Sequence, residues 1–284
     1  MSVKLIADSG STKTEWCLIS GGKLKKTVIT QGISPYFLNE HQITSLIQNE
    51  LLPELQSKPA EVFYYGTGCG TPSHVKLVTR AIQKVFPSAS IMVKHDLFGA
   101  ARALCGDGKG VVAILGTGSN SGYFNGQRIV RNNPGLGFIL GDEGSGAYLG
   151  KKVIQHYLYN TFEPDIMLRF EQKYKTGAAD ILDAVYKKPL PNRYLANFTG
   201  FLVENRGHFM IENIIEDGLN DFFFNHIYKY PESWKMPIHF TGSVAWGFRD
   251  VLQDLCNAYE LQLGKVMKNP MEGLIRYHCR KKNV

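Results

Sequence analysis

The chain has 284 residues, of which 44% are hydrophobic and 20% are charged, and this composition is typical of a globular protein large enough for two cores. No apolar run reaches the roughly 20 residues that cross a bilayer, and no signal-type segment precedes the first strand pattern, so we expect a soluble, cytoplasmic protein without a membrane partner. The net charge of +7 comes from scattered Lys and Arg residues, which does not favour a nucleic-acid partner but suits an anionic substrate such as a nucleotide.

The first third of the chain predicts a strand meander followed by alternating helices and strands. Apolar patterns indicate strands at 3–8, 15–20 and 24–30, with the turn "DSGSTKT" after the first and Gly21-Gly22 after the second. A helix capped by Asn39 follows. Strands at 62–65 and 90–94 then alternate with helices at 73–86 and from Asp96 onward.

The strand meander begins again near residue 111. An apolar strand at 111–115 leads into a small polar turn, a second strand, an Asn125-Gly126 turn and a third strand, and a shift of 108 positions places Gly118 on Gly10. Beyond Asp142 the pattern is mostly helical, with a strand in "PIHFTG", a helix at about 244–263 and a closing helix at about 270–280. We therefore predict two copies of one sheet-and-helix domain, with the closing helix returning to the first copy.

Three strand-end turns have the small, hydroxylated composition that phosphate binding requires. No P-loop sequence occurs, and "GTGCGTP" and "GTGSNSG" lack the glycine spacing of a dinucleotide-binding fingerprint. Taken alone, "DSGSTKT" fits a solvated hairpin turn better than a phosphate site. The related turn at 116–121 and the turn at Gly242-Ser243 favour phosphate binding, with Mg²⁺ on Asp8 and the hydroxyl groups after it facing the phosphoryl oxygens.

Five motifs, taken in chain order, carry a family resemblance. They are "DSGSTKT", "HDLFGAARAL", "LGTGSN", "GLGFILGDEGSGAYLG" and "FTGSVAWGF". From Leu5 to about Phe248 the chain resembles the N-acetylglucosamine kinase branch, also described as the BadF/BadG/BcrA/BcrD-type ATPase family, of the actin-like ATPase and sugar kinase superfamily. The resemblance implies an α/β protein of two ribonuclease H-like domains, 1–114 with 265–284 and 115–264. Each domain would have a central mixed sheet, and nucleotide and sugar would bind in the cleft between the domains.

The resemblance also implies the residues of the site. Those implied for ATP are Asp8, Gly10, Ser11, Thr12, Lys13, Thr117, Gly118, Gly242 and Ser243, with Mg²⁺ on Asp8. Those implied for the sugar are Ser34, Asp96, Gly135, Leu136, Gly137 and Asp142. Asp96 would be the catalytic base, since an attacking sugar hydroxyl needs a carboxylate that accepts its proton. An Asp at a strand-to-helix junction is also a common helix cap, and Asp142 equally suits a turn before the next helix.

The expected reaction is ATP-dependent phosphorylation of an amino sugar, with N-acetylglucosamine and its 6-phosphate as the first candidates. The family usually places an Asn near the sugar, whereas this chain has Ser34 in "QGISPYF", so glucosamine or another hexose is an alternative acceptor. A second alternative, an ATPase activator of a partner reductase, would need cysteines placed to share an iron–sulfur cluster, and the five cysteines are widely spaced. We expect a small-molecule sugar as the partner, and a homodimer.

Overall fold

The computed structural model describes residues 3–10 and 12–280, and the chain divides into two compact units. The first unit runs from the N-terminus to Asp107 and resumes at Pro270. The second unit is the continuous segment Gly108–Asn269. Each unit has its own hydrophobic core and its own five-stranded sheet.

The described residues form ten strands and thirteen α-helices. The strands are β1 (Lys4–Ser9), β2 (Lys13–Ser20), β3 (Lys23–Gln31), β4 (Glu61–Gly66), β5 (Ser90–His95), β6 (Gly110–Leu115), β7 (Ser119–Phe124), β8 (Ile129–Asn133), β9 (Ile238–Thr241) and β10 (Leu263–Met267). The helices are α1 (Glu40–Leu46), α2 (Pro72–Val85), α3 (Asp96–Cys105), α4 (Gly137–Leu140), α5 (Gly146–Leu158), α6 (Pro164–Tyr174), α7 (Ala178–Tyr186), α8 (Pro191–Ala196), α9 (Thr199–Glu204), α10 (Phe209–Asn225), α11 (Ser243–Gly247), α12 (Arg249–Ala258) and α13 (Met271–Cys279). None of the helices within these described residues has the length and hydrophobicity that crossing a bilayer requires.

The two sheets have the same topology. The strand order is β3-β2-β1-β4-β5 in the first unit and β8-β7-β6-β9-β10 in the second. In each sheet an antiparallel meander of three strands is extended by two strands that run parallel to its first strand. The predicted duplication of a mixed α/β sheet is therefore confirmed. Because parallel strands end at one edge, the carboxyl ends of β1, β4 and β5 lie together, as do those of β6, β9 and β10.

Local sequence explains the first meander and the helix that follows it. Gly21 and Gly22 have φ angles of 61° and 74°, which the tight turn between β2 and β3 requires and which glycine adopts without strain. Asn39 caps α1 as predicted: its side chain accepts from the Gln42 N–H, and the Gln42 side chain accepts from the Asn39 N–H. This reciprocal capping fixes where the helix begins.

The last helix, α13, packs against α3 and β1 of the first unit. The Tyr65 hydroxyl accepts a hydrogen bond from Arg102 at 2.8 Å and lies 2.8 Å from His278 Nε2. Burial, together with the charges of Arg102 and Lys4, lowers the pKa of His278 to about 3. The ring is therefore neutral and accepts the Tyr65 proton, which anchors α13 to the end of β4.

The boundaries in the second unit differ from those expected from the sequence. β6 pairs with β7 and β9, and β10 pairs with β9, so both strands belong to the second sheet. The units consequently divide at 107/108 and 269/270, whereas the sequence suggests 114/115 and 264/265. The single helix expected at 244–263 is two helices, α11 and α12, separated at Phe248, and strand β10 begins at Leu263.

Candidate active site

Two half-buried carboxylates and a threonine lie at the carboxyl edge of the first unit's parallel strands. Asp8 is on β1, Thr67 follows β4, and Asp96 follows β5. The Thr67 N–H donates to the Ser9 carbonyl at 2.8 Å, and the Thr67 hydroxyl donates to the Asp96 carboxylate. Thr67, at the end of the middle strand, therefore ties the two outer strand ends together and holds the carboxylates near each other.

Asp8 has the surroundings expected of a cation ligand. Burial and the nearby charges of Asp96 and Glu15 raise the pKa of Asp8 to about 7, while the Lys13 ammonium opposes the shift. A buried carboxylate beside another one is costly to ionise unless a cation neutralises it. Mg²⁺ prefers such oxygen ligands. The donor set at this edge therefore fits a magnesium ion, with Asp8 as the candidate ligand.

Asp96 is the first residue of α3 and not its cap. The cap is His95, whose Nδ1 accepts from the Phe98 N–H at 3.3 Å. Asp96 Oδ1 accepts from the Leu97 N–H at 2.7 Å. Burial raises the pKa of Asp96, and the hydrogen bonds from Leu97 and Thr67 favour its charged form. Because His95 caps the helix, the Asp96 carboxylate is available to accept a proton from a substrate hydroxyl.

The turn between β1 and β2 begins after Ser9, the residue that follows Asp8. The Gly10 N–H donates to the Lys13 carbonyl at 3.0 Å, and the Thr12 carbonyl accepts from the Gly32 N–H at 3.2 Å. Thr12 is half-buried and Lys13 is exposed. Ser11 lies outside the described residues. The phosphate contacts expected of Gly10, Ser11, Thr12 and Lys13 therefore stay predictions.

Ser34 is buried close to the same strand edge. The residue before it, Ile33, donates its N–H to Ser9 Oγ at 3.3 Å, which ties this segment to the end of β1. A Cβ atom on Gly68 would lie 2.9 Å from Pro35 Cδ, so the turn after β4 packs tightly on the residue that follows Ser34. These contacts bring Ser34 to the edge that carries the carboxylates of Asp8 and Asp96.

In the second unit, helix α5 holds the turn between β6 and β7. The first two N–H groups of α5, from Gly146 and Ala147, donate to the carbonyls of Gly116 and Thr117 at 2.8 and 3.0 Å. The third, from Tyr148, is satisfied by the Ser145 side chain at 3.2 Å. The donors at this helix N-terminus are thus used within the protein, and they fix the shape of the turn that carries Thr117 and Gly118.

The turn after β9 lies against the turn after β6. Gly242, just before Ser243 at the start of α11, has a φ angle of 122°, and a Cβ atom there would lie 3.0 Å from the Gly116 nitrogen. Close by, the hydroxyl oxygens of Ser119 and Thr241 are buried without a hydrogen-bond partner in the described structure. Close backbone approach and unsatisfied hydroxyls suit phosphate and ribose oxygens. These residues therefore fit a nucleotide.

Asp142 organises the segment 134–142, which joins β8 to α5 and is here named the 134–142 loop. Asp142 has a left-handed backbone, with φ 57°, and its Oδ1 accepts from the Gly137 N–H at 3.0 Å. The Ser119 N–H donates to the same carboxylate. Cβ atoms on Gly118 and Gly135 would lie 2.8 and 2.5 Å from the Asp142 carboxylate oxygens. The structure thus brings the predicted sugar residues of this loop close to the β6–β7 turn.

The Asp142 carboxylate still has room for a ligand. Burial raises the pKa of Asp142, and the two backbone N–H groups favour its charged form. A carboxylate offers about four acceptor positions, so two are left for sugar hydroxyls. Leu136, between Gly135 and Gly137, has 61% of its surface exposed and is not part of the hydrophobic core. Its predicted contact with the sugar stays a prediction.

Sequence analysis missed two residues around this site. Thr67 lies in "GTGCGTP", and its position directly after an apolar strand was an available signal. His226, whose Nε2 lies 3.2 Å from Glu143 Oε2, follows α10 in the helical region between the recognisable motifs. No local pattern around His226 indicates this contact, which spans 83 positions of the chain.

Comparison with protein-family models and with curated proteins finds no match. A solved structure from Porphyromonas gingivalis, named "Putative N-acetylglucosamine Kinase", is 40% identical, covers 97% of this chain and 98% of its own, and has a TM-score of 0.93. A Chromobacterium violaceum protein of the same name is 14% identical, covers 98% and 99%, and has a TM-score of 0.73. A ROK family glucokinase from Streptomyces griseus, solved with glucose and AMPPNP, is 14% identical, covers 97% of both chains, and has a TM-score of 0.58.

The two distant matches establish the fold alone. The match to the Porphyromonas gingivalis protein goes further, because 40% identity over nearly the whole of both chains reflects common descent and not only common architecture. This chain belongs to the same family as that protein, the N-acetylglucosamine kinase family.

Proposed function

We propose that this protein transfers the γ-phosphoryl group of ATP to an amino sugar, and that the acceptor is the 6-hydroxyl of N-acetylglucosamine. The name of the 40% identical Porphyromonas gingivalis protein supports this acceptor. The observation that carries the reaction type is the arrangement at the edge of the first sheet, where the half-buried carboxylates of Asp8 and Asp96 lie near each other at the ends of β1 and β5.

Asp96 is the base in this proposal. The sugar hydroxyl gives its proton to the Asp96 carboxylate as its oxygen bonds to the γ-phosphorus, and the bond to the β,γ-bridging oxygen breaks to release ADP. The hydrogen bonds from Leu97 and Thr67 orient the carboxylate for this role. Since burial already raises the pKa of Asp96, it can accept a proton at neutral pH more readily than an exposed carboxylate.

Asp8 holds the cation in this proposal. Bound Mg²⁺ would neutralise charge on the phosphoryl oxygens. The chain's own groups would supply the remaining contacts to the nucleotide: Ser11, Thr12, Lys13, Thr117 and Gly118 to phosphates, and Gly242 with Ser243 to the nucleoside. Hydrogen bonds from the N-terminus of α5 hold the β6–β7 turn in place, which supports the assignment of Thr117 and Gly118 to the phosphates. Contacts that are already in position need little free energy of reorganisation when the reaction occurs.

The sugar would be held by Asp142, by the 134–142 loop with Gly135, Leu136 and Gly137, and by Ser34. A carboxylate with two free acceptor positions can orient a ring through two of its hydroxyls. Ser34 offers one hydroxyl where an amide would offer two contacts, so the discrimination between N-acetylated and free amino sugars depends chiefly on the second unit.

The proposal is tested by coupled ADP release with N-acetylglucosamine, glucosamine, N-acetylmannosamine and glucose, each with ATP and Mg²⁺. We expect the highest kcat/KM for N-acetylglucosamine, and phosphorus–proton correlation in NMR spectra of the product should place the phosphate on the 6-oxygen. A higher kcat/KM for another sugar would change the acceptor but keep the reaction. ADP release that is the same with and without every sugar would contradict the kinase assignment.

A further inference from the structure

The 134–142 loop is fixed at its ends and exposed in its middle. None of its side chains is buried, and Leu136, Ile139 and Leu140 have 61%, 74% and 77% of their surfaces exposed. Inside the loop, Lys151 Nζ donates to the Phe138 carbonyl at 3.3 Å. Within the loop, Phe138 of helix α4 is partly buried against the core of the second unit, and the exposed residues on either side of it take their path chiefly from the contacts where the loop joins the fold.

His226 contacts both ends of this loop. It lies at the C-terminus of α10, is 4% exposed, and its ring stacks on Phe222 with centroids 4.7 Å apart. His226 Nδ1 is 3.3 Å from the carbonyl oxygen of Asn133, the residue before the loop. His226 Nε2 is 3.2 Å from Oε2 of Glu143, the residue after the loop. One buried side chain thus bridges the two points where the loop begins and ends.

Other bonds from the same segment strengthen the first end. Asn133 Nδ2 donates to the His226 carbonyl at 3.0 Å, and the Asn133 N–H donates to the Tyr230 hydroxyl at 2.7 Å. The Tyr230 hydroxyl also lies 2.9 Å from Ser121 Oγ on β7. These groups form one buried polar network in which each member orients the next. At the second end of the loop, His226 supplies the contact to Glu143.

The partners of the imidazole make its two contacts hard to replace. A carbonyl oxygen only accepts, so the bond to Asn133 requires a hydrogen on Nδ1. Nε2, on the other side of the ring, lies within hydrogen-bond distance of the Glu143 carboxylate. A glutamine at position 226 has both N–H groups on a single nitrogen and therefore cannot reach Asn133 and Glu143 at once.

We propose that His226 is a positioning residue for the sugar acceptor. By holding Asn133 and Glu143 in place it sets the path of the loop that carries Gly135, Leu136 and Gly137, and with it the orientation of Asp142. This inference rests on the proposed function, in which that loop binds the sugar. The hydrogen bonds of His226 in the described structure go to none of the residues proposed for ATP, so its effect should be confined to the acceptor.

The test compares His226→Gln with a matched control in the same unit. The control is His239→Gln, since His239 on β9 is also buried and its Nδ1 accepts from the Lys265 N–H at 2.9 Å, away from the loop. In His226→Gln we expect the KM for the acceptor sugar to rise about tenfold and the KM for ATP to stay within about twofold. In His239→Gln both KM values should stay close to those of the unmodified protein.

Glu143→Ala tests the same contact from its other partner. Because Glu143 is partly exposed, its removal is less of a threat to folding, and it should raise the KM for the sugar in the same way. The double variant should be little worse than either single variant, because both remove the same link. Additive losses in this cycle would contradict a role of His226 through Glu143.

Hydrogen exchange measured on the protein without substrates separates this inference from the proposed function. We expect amides of the 134–142 loop to exchange about tenfold faster in His226→Gln and in Glu143→Ala, but not in His239→Gln. If the unmodified protein phosphorylates no sugar, the proposed function fails while this measurement still decides whether His226 fixes the loop. Unchanged exchange in the loop, or KM values for sugar and ATP that rise together, would overturn the inference.

Discussion

Gly242 and Leu115 approach so closely that a Cβ atom on the glycine would clash with the leucine carbonyl oxygen. The contact joins the turn after β9 to the turn after β6. Gly242 also has a φ angle of 122°, which residues with a Cβ atom rarely adopt. The two turns proposed for the nucleotide therefore pack directly against each other, and a substitution that moves one turn should displace the other.

Gly242→Ala should consequently weaken nucleotide binding. The new methyl group must push the β6–β7 turn away, so we expect the affinity for a non-hydrolysable ATP analogue to fall at least about tenfold, together with a lower melting temperature. Calorimetric titration measures the affinity. Gly247→Ala, on the same helix α11 and with no atom within 4 Å of the added Cβ, is the matched control and should bind the analogue normally. Equal affinities in the two variants would contradict this prediction.

Asp96→Asn should abolish proton acceptance while preserving the fold. The amide oxygen can still accept from the Leu97 N–H, so α3 and the strand edge should persist. We expect kcat to fall by about 10²–10⁴, as for the loss of a general base, with an unchanged affinity for ATP. Asp107→Asn serves as the control, since Asp107 is an exposed residue near the end of the same helix that pairs with Arg280 at 3.1 Å. A kcat in Asp96→Asn close to that of the control would remove Asp96 from its role.

Asp8→Asn should change the magnesium requirement. Replacing the Asp8 carboxylate removes the charge that a cation would neutralise, so the Mg²⁺ concentration for half-maximal activity should rise at least about tenfold. Chelation of magnesium by EDTA should stop phosphorylation in the unmodified protein and excess Mg²⁺ should restore it. Asp107→Asn, which removes an exposed carboxylate that pairs with Arg280, is a control expected to keep the normal requirement. An unaltered magnesium dependence in Asp8→Asn would place the metal elsewhere.

Two buried histidines should make the protein sensitive to acid. Burial, with Arg102 and Lys4, lowers the pKa of His278 to about 3, and burial, with Lys265, lowers the pKa of His239 to about 4, from a usual value of 6.5. Below pH 6.5 these two histidines therefore bind protons in the unfolded chain but not in the folded one, whereas Asp8, with its pKa raised to about 7, does the reverse. The contribution of each histidine to stability is fully present above pH 6.5 and is lost as pH falls, by about 1.4 kcal/mol per pH unit.

Urea unfolding at pH 7, 6 and 5 measures this loss. In His239→Gln the slope of unfolding free energy against pH should be smaller than in the unmodified protein, because one of the two titrating groups is gone. An unchanged slope would show that His239 is not neutral in the folded state.

Strands, turns and helix caps could be predicted from the sequence wherever a few neighbouring residues determine the local structure. The Gly21-Gly22 turn and the Asn39 capping box are of this kind, because their hydrogen bonds and backbone angles close within four residues. β10 was missed for the opposite reason. Its five residues have no clear alternation, and they form a strand because β9 offers them an unpaired edge.

The same distinction applies to the candidate site. Asp8, Asp96 and the glycines of the turns stand in motifs that the sequence shows directly. The capping role of His95 was not expected for that residue, since the neighbouring Asp is the usual choice for a cap. The hydrogen bond of Thr67 to Asp96 depends on which strand lies between β1 and β5, and this follows from sheet order and not from local pattern.

The return of α13 to the first unit has a consequence for biosynthesis. Met271 and Leu274 of this helix are buried, and Gly273 packs so closely on α3 that a Cβ atom would lie 2.6 Å from the Ala103 carbonyl oxygen. The amino-terminal unit cannot complete its core until this late segment has left the ribosome. The second unit waits almost as long, because its last strand, β10, ends at Met267 and α13 begins at Met271, so both units should complete their cores only after nearly all of these residues have been made.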